Sequence, residues 1–360
     1  MLFTPTSNLT SAAVAVGAAG EIYTVWNDPT YNNNTGTTFF AKSTDGAQNW
    51  AFPPGPPNSS GYAPTVAVGP NGNIFMAWST SRDIALSGST NGGSTFSSPV
   101  NVTRVQNSFG IGASVGWDTG VAVDQAGGIH VVTTLWRSLG DGFNDVIYSR
   151  STDGGRTFSG PAVVYENLPY TDSVGSTPTV VARGSNVYIA WQQASGAALF
   201  LRSTDWGITF STALTLGQGG GGGGSCHIGV DGNGVITALW QGADGVIFAR
   251  STNNGASFSQ PAKVPNTRWP DSSSDLAVDS HGTLYVVWGR VPPEAPSIQG
   301  DVFFTRSTDG GATFSVPVNV SLTYDEDSSH PRIAVDQNGN INFVWMETFP
   351  TTKLIYRRAK

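Results

Sequence analysis

The stretch Ile147–Phe158, IYSRSTDGGRTF, decides how the chain is read: an apolar run ends in Arg-Ser-Thr, an Asp-Gly-Gly turn follows, and an aromatic opens the next extended segment. The pattern recurs as AKSTDGAQNW (Ala41–Trp50), SGSTNGGSTF (Ser87–Phe96), LRSTDWGITF (Leu201–Phe210), ARSTNNGASF (Ala249–Phe258) and TRSTDGGATF (Thr305–Phe314). One turn returning at a spacing of roughly fifty residues marks a chain built from one repeated supersecondary unit.

Working outward from the turns exposes a longer unit. An apolar-Ala-Val run leads through a Gly-containing turn into four or five apolar residues ending in Trp, as in VAVGPNGNIFMAW to Trp78 or LAVDSHGTLYVVW to Trp288. This half-unit occurs seven times, ending at Trp26, Trp78, Trp136, Trp191, Trp240, Trp288 and Trp345. Each reads as a β-hairpin, two apolar runs around a Gly/Asn/Asp turn. All seven Trp then hold one core position. A third run, the Ser-Thr-Asp turn and a Phe-Ser-x-Pro-Val segment complete a four-stranded antiparallel sheet.

The seventh unit stops at LIYRRAK, after its third strand, and the missing strand is at the other end of the chain. Phe3–Thr10 resembles Phe96–Thr103 and Phe314–Ser321, the outer segments of two internal units. The expected fold is therefore all-β, a seven-bladed β-propeller closed by residues 3–10 pairing with 353–358, which removes the free edge. It forms a single domain over 1–360, with 1–10 as outer strand of blade 7 and blades at 11–62, 63–117, 118–176, 177–224, 225–272, 273–329 and 330–360.

Composition agrees. The chain has 45 Gly and 21 Pro with only 12% charged residues, the mix of strands and tight turns. Net charge is −7 with no basic run, which argues against nucleic-acid binding, and no apolar stretch is long enough for a membrane span. The lone Cys226 excludes an intrachain disulfide. The polar, Lys-poor surface reads as that of a secreted, extracellular protein, although MLFTPTSNLT carries no signal peptide.

Ser-x-Asp-x-Gly-x-x-Trp/Phe is the Asp-box, or BNR repeat, and the chain resembles the Asp-box propellers of the sialidase superfamily. Ser151/Asp153/Gly155/Phe158, Ser203/Asp205/Gly207/Phe210 and Ser307/Asp309/Gly311/Phe314 fit fully; Ala47, Asn91 and Asn253 depart. The box is a folding element, a short side chain bonding the backbone of a left-handed turn, and identifies a scaffold without showing an activity.

Chemistry is expected on the opposite, upper rim, where the loops after each Trp and between blades differ from one another. The residue before each apolar-Ala-Val run gives one ring around the channel: Ala13, Thr65, Gly120, Thr179, His227, Asp275 and Arg332. The last three form an acid, a base and a cation on adjacent blades. Nearby loops add Arg268, Trp269, Asp271, Tyr324, Asp325, Glu326, Asp327 and His330, and a three-arginine clamp could draw on Arg137, Arg268, Arg290, Arg332, Arg82 or Arg104. Arg can grip a carboxylate and paired carboxylates can share acid and base roles. A plain Arg332–Asp275 salt bridge with His227 as a polar plug fits the same residues.

The resemblance to sialidases implies Asp141 as acid/base in the blade 3 loop Trp136–Asp145, with Arg137 beside it. Asp145 reads as a turn residue like its counterpart Asp301. A Tyr nucleophile would be Tyr324 or Tyr170. The chain departs from sialidases in having seven blades and no Phe/Tyr-Arg-Ile-Pro motif. Asp325-Glu326-Asp327 reads as a solvated acidic loop ahead of a Ca²⁺ site, so no cofactor is expected. The run Gly219–Gly224 reads as a flexible loop.

The leading reading is a sialidase-like glycoside hydrolase acting on a complex or acidic glycan. Its catalytic candidates are Asp141, Asp275, Tyr324 and His227; its substrate-binding candidates are Arg332, Arg137, Arg268, Trp269, His330 and Arg290. The alternative is a non-catalytic propeller, lectin-like or protein-docking. A polysaccharide lyase using His330, Tyr324 and Arg332 ranks below both.

Overall fold

The computed structural model describes all residues apart from 1–8, 10, 29–35, 81, 111, 137–143, 168–173, 176–177, 221–223, 269–271, 291–299, 323–326 and 349–351. The chain is an all-β, seven-bladed propeller of four-stranded antiparallel blades. Blades 2 to 6 show all four strands in chain order from the channel outward. In blade 1 three strands are joined by a bridge between Lys42 and Ala51, and in blade 7 three strands are described. The expected pairing of residues 3–10 lies outside the described residues. Leu9 is buried against Trp26 and Leu354, where blade 1 meets blade 7.

The innermost strands are Ser11–Val16, Tyr62–Val68, Ser114–Val123, Thr179–Arg183, Cys226–Val230, Ser272–Val278 and Ser328–Val335. Each packs on its neighbour, and the last packs on the first. The second strands are almost wholly buried because both faces meet other sheets, which is why they read as unbroken apolar runs.

Six of the repeated Trp are buried, each lying on the preceding blade: Trp288 packs with Leu239, Val246 and Val264, and Trp345 with Val320. Trp136 is the exception and corrects the sequence reading. It is 48% exposed, because the run IHVVTTLW is three residues longer than its counterparts. Strand register sets Thr133 opposite Thr119, as Trp26 stands opposite Ala12, so Thr133 occupies the Trp slot. The joint is filled instead by Leu135, Val102 and Val105, the last opening a short helix, Val105–Phe109.

The Ser-Thr-Asp turns fold by side-chain chemistry. In blade 6 the Ser307 hydroxyl donates to Asp309 Oδ1 (2.8 Å) and accepts from Gly311 N, while Asp309 accepts from Thr313 N and Thr313 Oγ1. These bonds, led by Thr313, lower the Asp309 carboxyl to about 2. Where Asn91 stands for Asp, its Oδ1 still accepts from Ser89 and Thr95 N, and its amide now donates to Thr95 Oγ1. Ala47 takes the left-handed conformation (φ 71°) that its counterparts fill with Gly.

A second device, missed in the sequence, ties blades together. A cation just before the turn Ser reaches a carbonyl in the next blade's turn: Lys42 Nζ to Gly92 O (2.7 Å), Arg202 Nη1 to Asn254 O (2.7 Å) and Arg250 Nη1 to Gly310 O (3.1 Å); Arg358, at the same strand position in blade 7, reaches Gly46 O (3.1 Å). The signal was present, since a Lys or Arg precedes the Ser in five of the six turns.

The glycine run is also corrected in part. A Cβ on Gly219 would fall 2.2 Å from Gln241 O, and one on Gly224 2.4 Å from Gln241 Cβ. The described ends of the run are thus close-packed against Gln192 and Gln241, and glycine is needed for that approach.

Candidate functional site

The upper half of the channel holds a cavity of about 240 Å³. All seven ring residues, Ala13, Thr65, Gly120, Thr179, His227, Asp275 and Arg332, line it. The hydroxyl of Thr179 is consumed by Cys226 O (3.0 Å), so four blades present a small, neutral wall. Polarity is concentrated on blades 5, 6 and 7.

Backbone bends precede three of the ring residues, Thr65, Asp275 and Arg332. Ala63, Ser273 and His330 adopt positive φ (46°, 36° and 53°), each two residues before its ring residue. Strand register shifts at the same places, between Tyr62 and Thr65, Ser272 and Ser274, and Ser329 and Arg332. Bulges with left-handed non-glycine residues cost energy and gather where a side chain must be redirected.

Asp275 is the hub. Its Oδ1 accepts from His227 Nδ1 (3.0 Å) and Leu276 N (2.8 Å), and its Oδ2 from Ile333 N (2.9 Å). Burial by itself raises this carboxyl; the charge and hydrogen bond of His227, the charge of Arg332 and the Ile333 N–H outweigh it. The net position is below the ordinary carboxylate range. The partner of Asp275 is therefore His227, and the plain Arg332–Asp275 salt bridge is replaced by a longer-range interaction. Arg332 Nη1 donates to Pro331 O (3.2 Å). His227 turns its Nδ1 to Asp275, and its Nε2 is buried and has no hydrogen-bond partner among the described residues.

The other candidates are dispersed. Arg290 donates to Asn266 O and lies over the Phe303 ring (4.6 Å), and it is not among the cavity-lining residues. Arg268 and His330 likewise lie off the cavity wall, and His330 is exposed. Arg82 bonds Gln106. Asp141, Arg137, Tyr324, Trp269, Asp271, Tyr170, Asp325 and Glu326 lie outside the described residues. Among those described, then, Arg332 alone of the arginines lines the cavity.

Asp145 is buried and its Oδ1 accepts from Asn167 N (2.9 Å); Asp301 accepts from Ser321 Oγ (2.7 Å), and Asp83 from Val105 N and Thr103 Oγ1. This is the turn role expected for Asp145. Asp327 ties two loops through Gly300 N and Thr348 Oγ1, and among the described residues no cluster of three His, Cys, Asp or Glu side chains could hold a metal ion. Sequence reasoning missed Ser225, which lines the cavity and donates to Ser274 O (3.2 Å).

No family model matches the chain, and no curated protein does. Solved structures do. A Hadza microbial sialidase superimposes with a TM-score of 0.55 at 14% identity, over 96% of this chain and 74% of that one. The intramolecular trans-sialidase from Ruminococcus gnavus gives 0.53 at 12%, over 99% and 96%. An ulvan lyase of a polysaccharide lyase family, solved with a GlcA-containing chain bound, gives 0.60 at 11%, over 95% and 90%. At these identities the likeness is one of fold: this chain is a β-propeller of the architecture that sialidases and an ulvan lyase share.

Proposed function

We propose that the chain is a carbohydrate-directed propeller whose upper channel mouth receives an acidic sugar. The observation that carries this is the His227–Asp275–Arg332 cluster, a held imidazole and a guanidinium facing one cavity on an otherwise small, neutral wall. Arg332 would grip the substrate carboxylate. His227, with Asp275 as its positioning residue, would act as base once a shift of the channel wall uncovers its buried Nε2. On a uronate the step is β-elimination: Nε2 takes the proton from the carbon next to the carboxylate, that C–H pair becomes a C=C bond, and the glycosidic C–O bond breaks with its electrons leaving on oxygen. Water protonates the leaving oxygen, and the proton held on Nε2 passes to the hydroxide so formed.

The second reading is sialidase-like hydrolysis, with Asp141 as acid/base and Tyr324 as nucleophile. The Asp-box turns and the sialidase neighbours favour it. Both readings suit a secreted protein acting on extracellular glycans. Uronate polymers and sialyllactose distinguish them. Ultraviolet absorbance from unsaturated uronate, lost in His227→Ala, supports elimination; free sialic acid, lost in Asp141→Asn, supports hydrolysis. Glycan binding without either product makes the chain a lectin-like module. Neither product and no binding by calorimetry overturns the proposal.

A further inference from the structure

Four of the seven joints carry the inter-blade tie, and at one of the other three, between blades 2 and 3, the donor side chain itself is missing. At four joints a cation at one position near the end of the third strand donates to the carbonyl of the third residue after the next blade's turn Ser. That acceptor is always left-handed: Gly46 (φ 73°), Gly92 (64°), Asn254 (59°) and Gly310 (71°). The blade 3 turn offers the same carbonyl on Gly154 (φ 73°). Blade 2 carries Gly88 at the donor position, so among the described residues no side chain reaches it. A Cβ on Gly310 or Gly46 would strike the incoming guanidinium at 2.0 Å, whereas one on Gly154 meets nothing within 4 Å; the same is true of Gly92, where the seated cation is the slimmer Lys42. What remains is a cleft of about 730 Å³ between blades 2 and 3, lined by Phe75, Gly88, Phe96, Asp153, Gly154 and Arg156. Phe75 pairs across the sheet with Gly88, so its ring edges the place where the missing stem would lie. Arg156, the cation on this wall, is exposed and turned onto Asp153 O (3.5 Å).

We propose that this cleft docks a basic side chain, an arginine or lysine presented by a peptide or protein partner. Its head group donates to Gly154 O, and its stem crosses the Phe75 ring. The chain itself shows what fits, since it seats its own Lys or Arg on the equivalent carbonyl at four other joints. A net charge of −7 favours approach of a cationic partner.

The probe is N-acetylarginine amide, with the isosteric neutral citrulline compound as control, followed by amide resonances of isotope-labelled full chain. The arginine compound should saturably shift Gly88 and Gly154, and the citrulline compound should not. Gly88→Arg, which fills the slot from within, should weaken binding at least tenfold and raise the melting temperature. Gly88→Gln should also weaken binding at least tenfold, and serves if the first variant folds poorly. Equal shifts from both compounds, shifts confined to other parts of the molecule, or binding undiminished in the folded variants would overturn the proposal.

Discussion

The carboxylate of Asp275 accepts from His227, Leu276 and Ile333 and so touches blades 5, 6 and 7. Asp275→Asn keeps the shape but presents an amide N–H where a donor already points. Folding stability should fall by about 1–3 kcal/mol in urea titrations, and any turnover by about 10²-fold or more. The Asp275 carboxyl lies below its unfolded value of 3.8. Its contribution is therefore complete above that pH and is lost as pH falls toward the folded value. The stability gap between wild type and the variant should close in acid; a gap that persists there would contradict the assignment. His130 acts in the same direction over a higher pH range. Fully buried, its Nδ1 lies 2.6 Å from the Tyr148 hydroxyl and its Nε2 3.0 Å from Asp124 Oδ2. Burial outweighs Asp124 and holds it below 6.5. The unfolded chain thus binds the proton more readily, so stability is full above pH 6.5 and declines as pH falls below it. Melting temperatures of His130→Gln should be flatter over that interval. Identity of the ring residues was legible because side chains alternate along a strand, which fixes one channel-facing residue per blade. Which of them pair was not, since the His227–Asp275 contact depends on spacing between blades.

Strands and turns carry the repeat, and their exceptions are the informative parts. Ala47 stands at φ 71°, where Gly93, Gly155, Gly207, Gly255 and Gly311 take the same conformation without a Cβ. Ala47→Gly should stabilise the protein by about 1 kcal/mol; unchanged calorimetric stability would mean that the turn relaxes around Ala. Arg250→Met keeps the stem but removes the bond to Gly310 O. It should cost about 1 kcal/mol, with hydrogen exchange rising in the blade 6 turn more than in distant blades. The hairpins and turns could be read directly from Gly, Asn and Asp spacing. The Trp slot of blade 3 could not, because aligning on Trp136 hides three additional residues in VVTTLW. Only strand register reveals Thr133 as the true counterpart.

Closure of the ring belongs to the whole molecule. Leu9 is 6% exposed and packs on Trp26 and Leu354, so the start of the chain reaches the junction of the first and last blades. Leu9→Ala should cost about 2–4 kcal/mol by cavity creation, although it lies nine residues from the terminus. Seven units and six turns made the blade count legible in sequence, and the mismatch between them pointed to the N-terminal segment. Cys226 gives an independent gauge of the intact circle. It is fully buried and its thiol is pushed up to about 12, so a thiol reagent should label it at the rate of unfolding.

A ring in which each sheet leans on its predecessor is only as sound as its poorest joint. Between blades 2 and 3 the indole is replaced by Thr133, the cationic tie by Gly88, and the connecting segment bears an exposed Arg104 with φ 46°. Trypsin applied to the native protein should nick there first. The products would be a two-sheet fragment and a five-sheet fragment, still clasped at the far seam where the first and last blades meet.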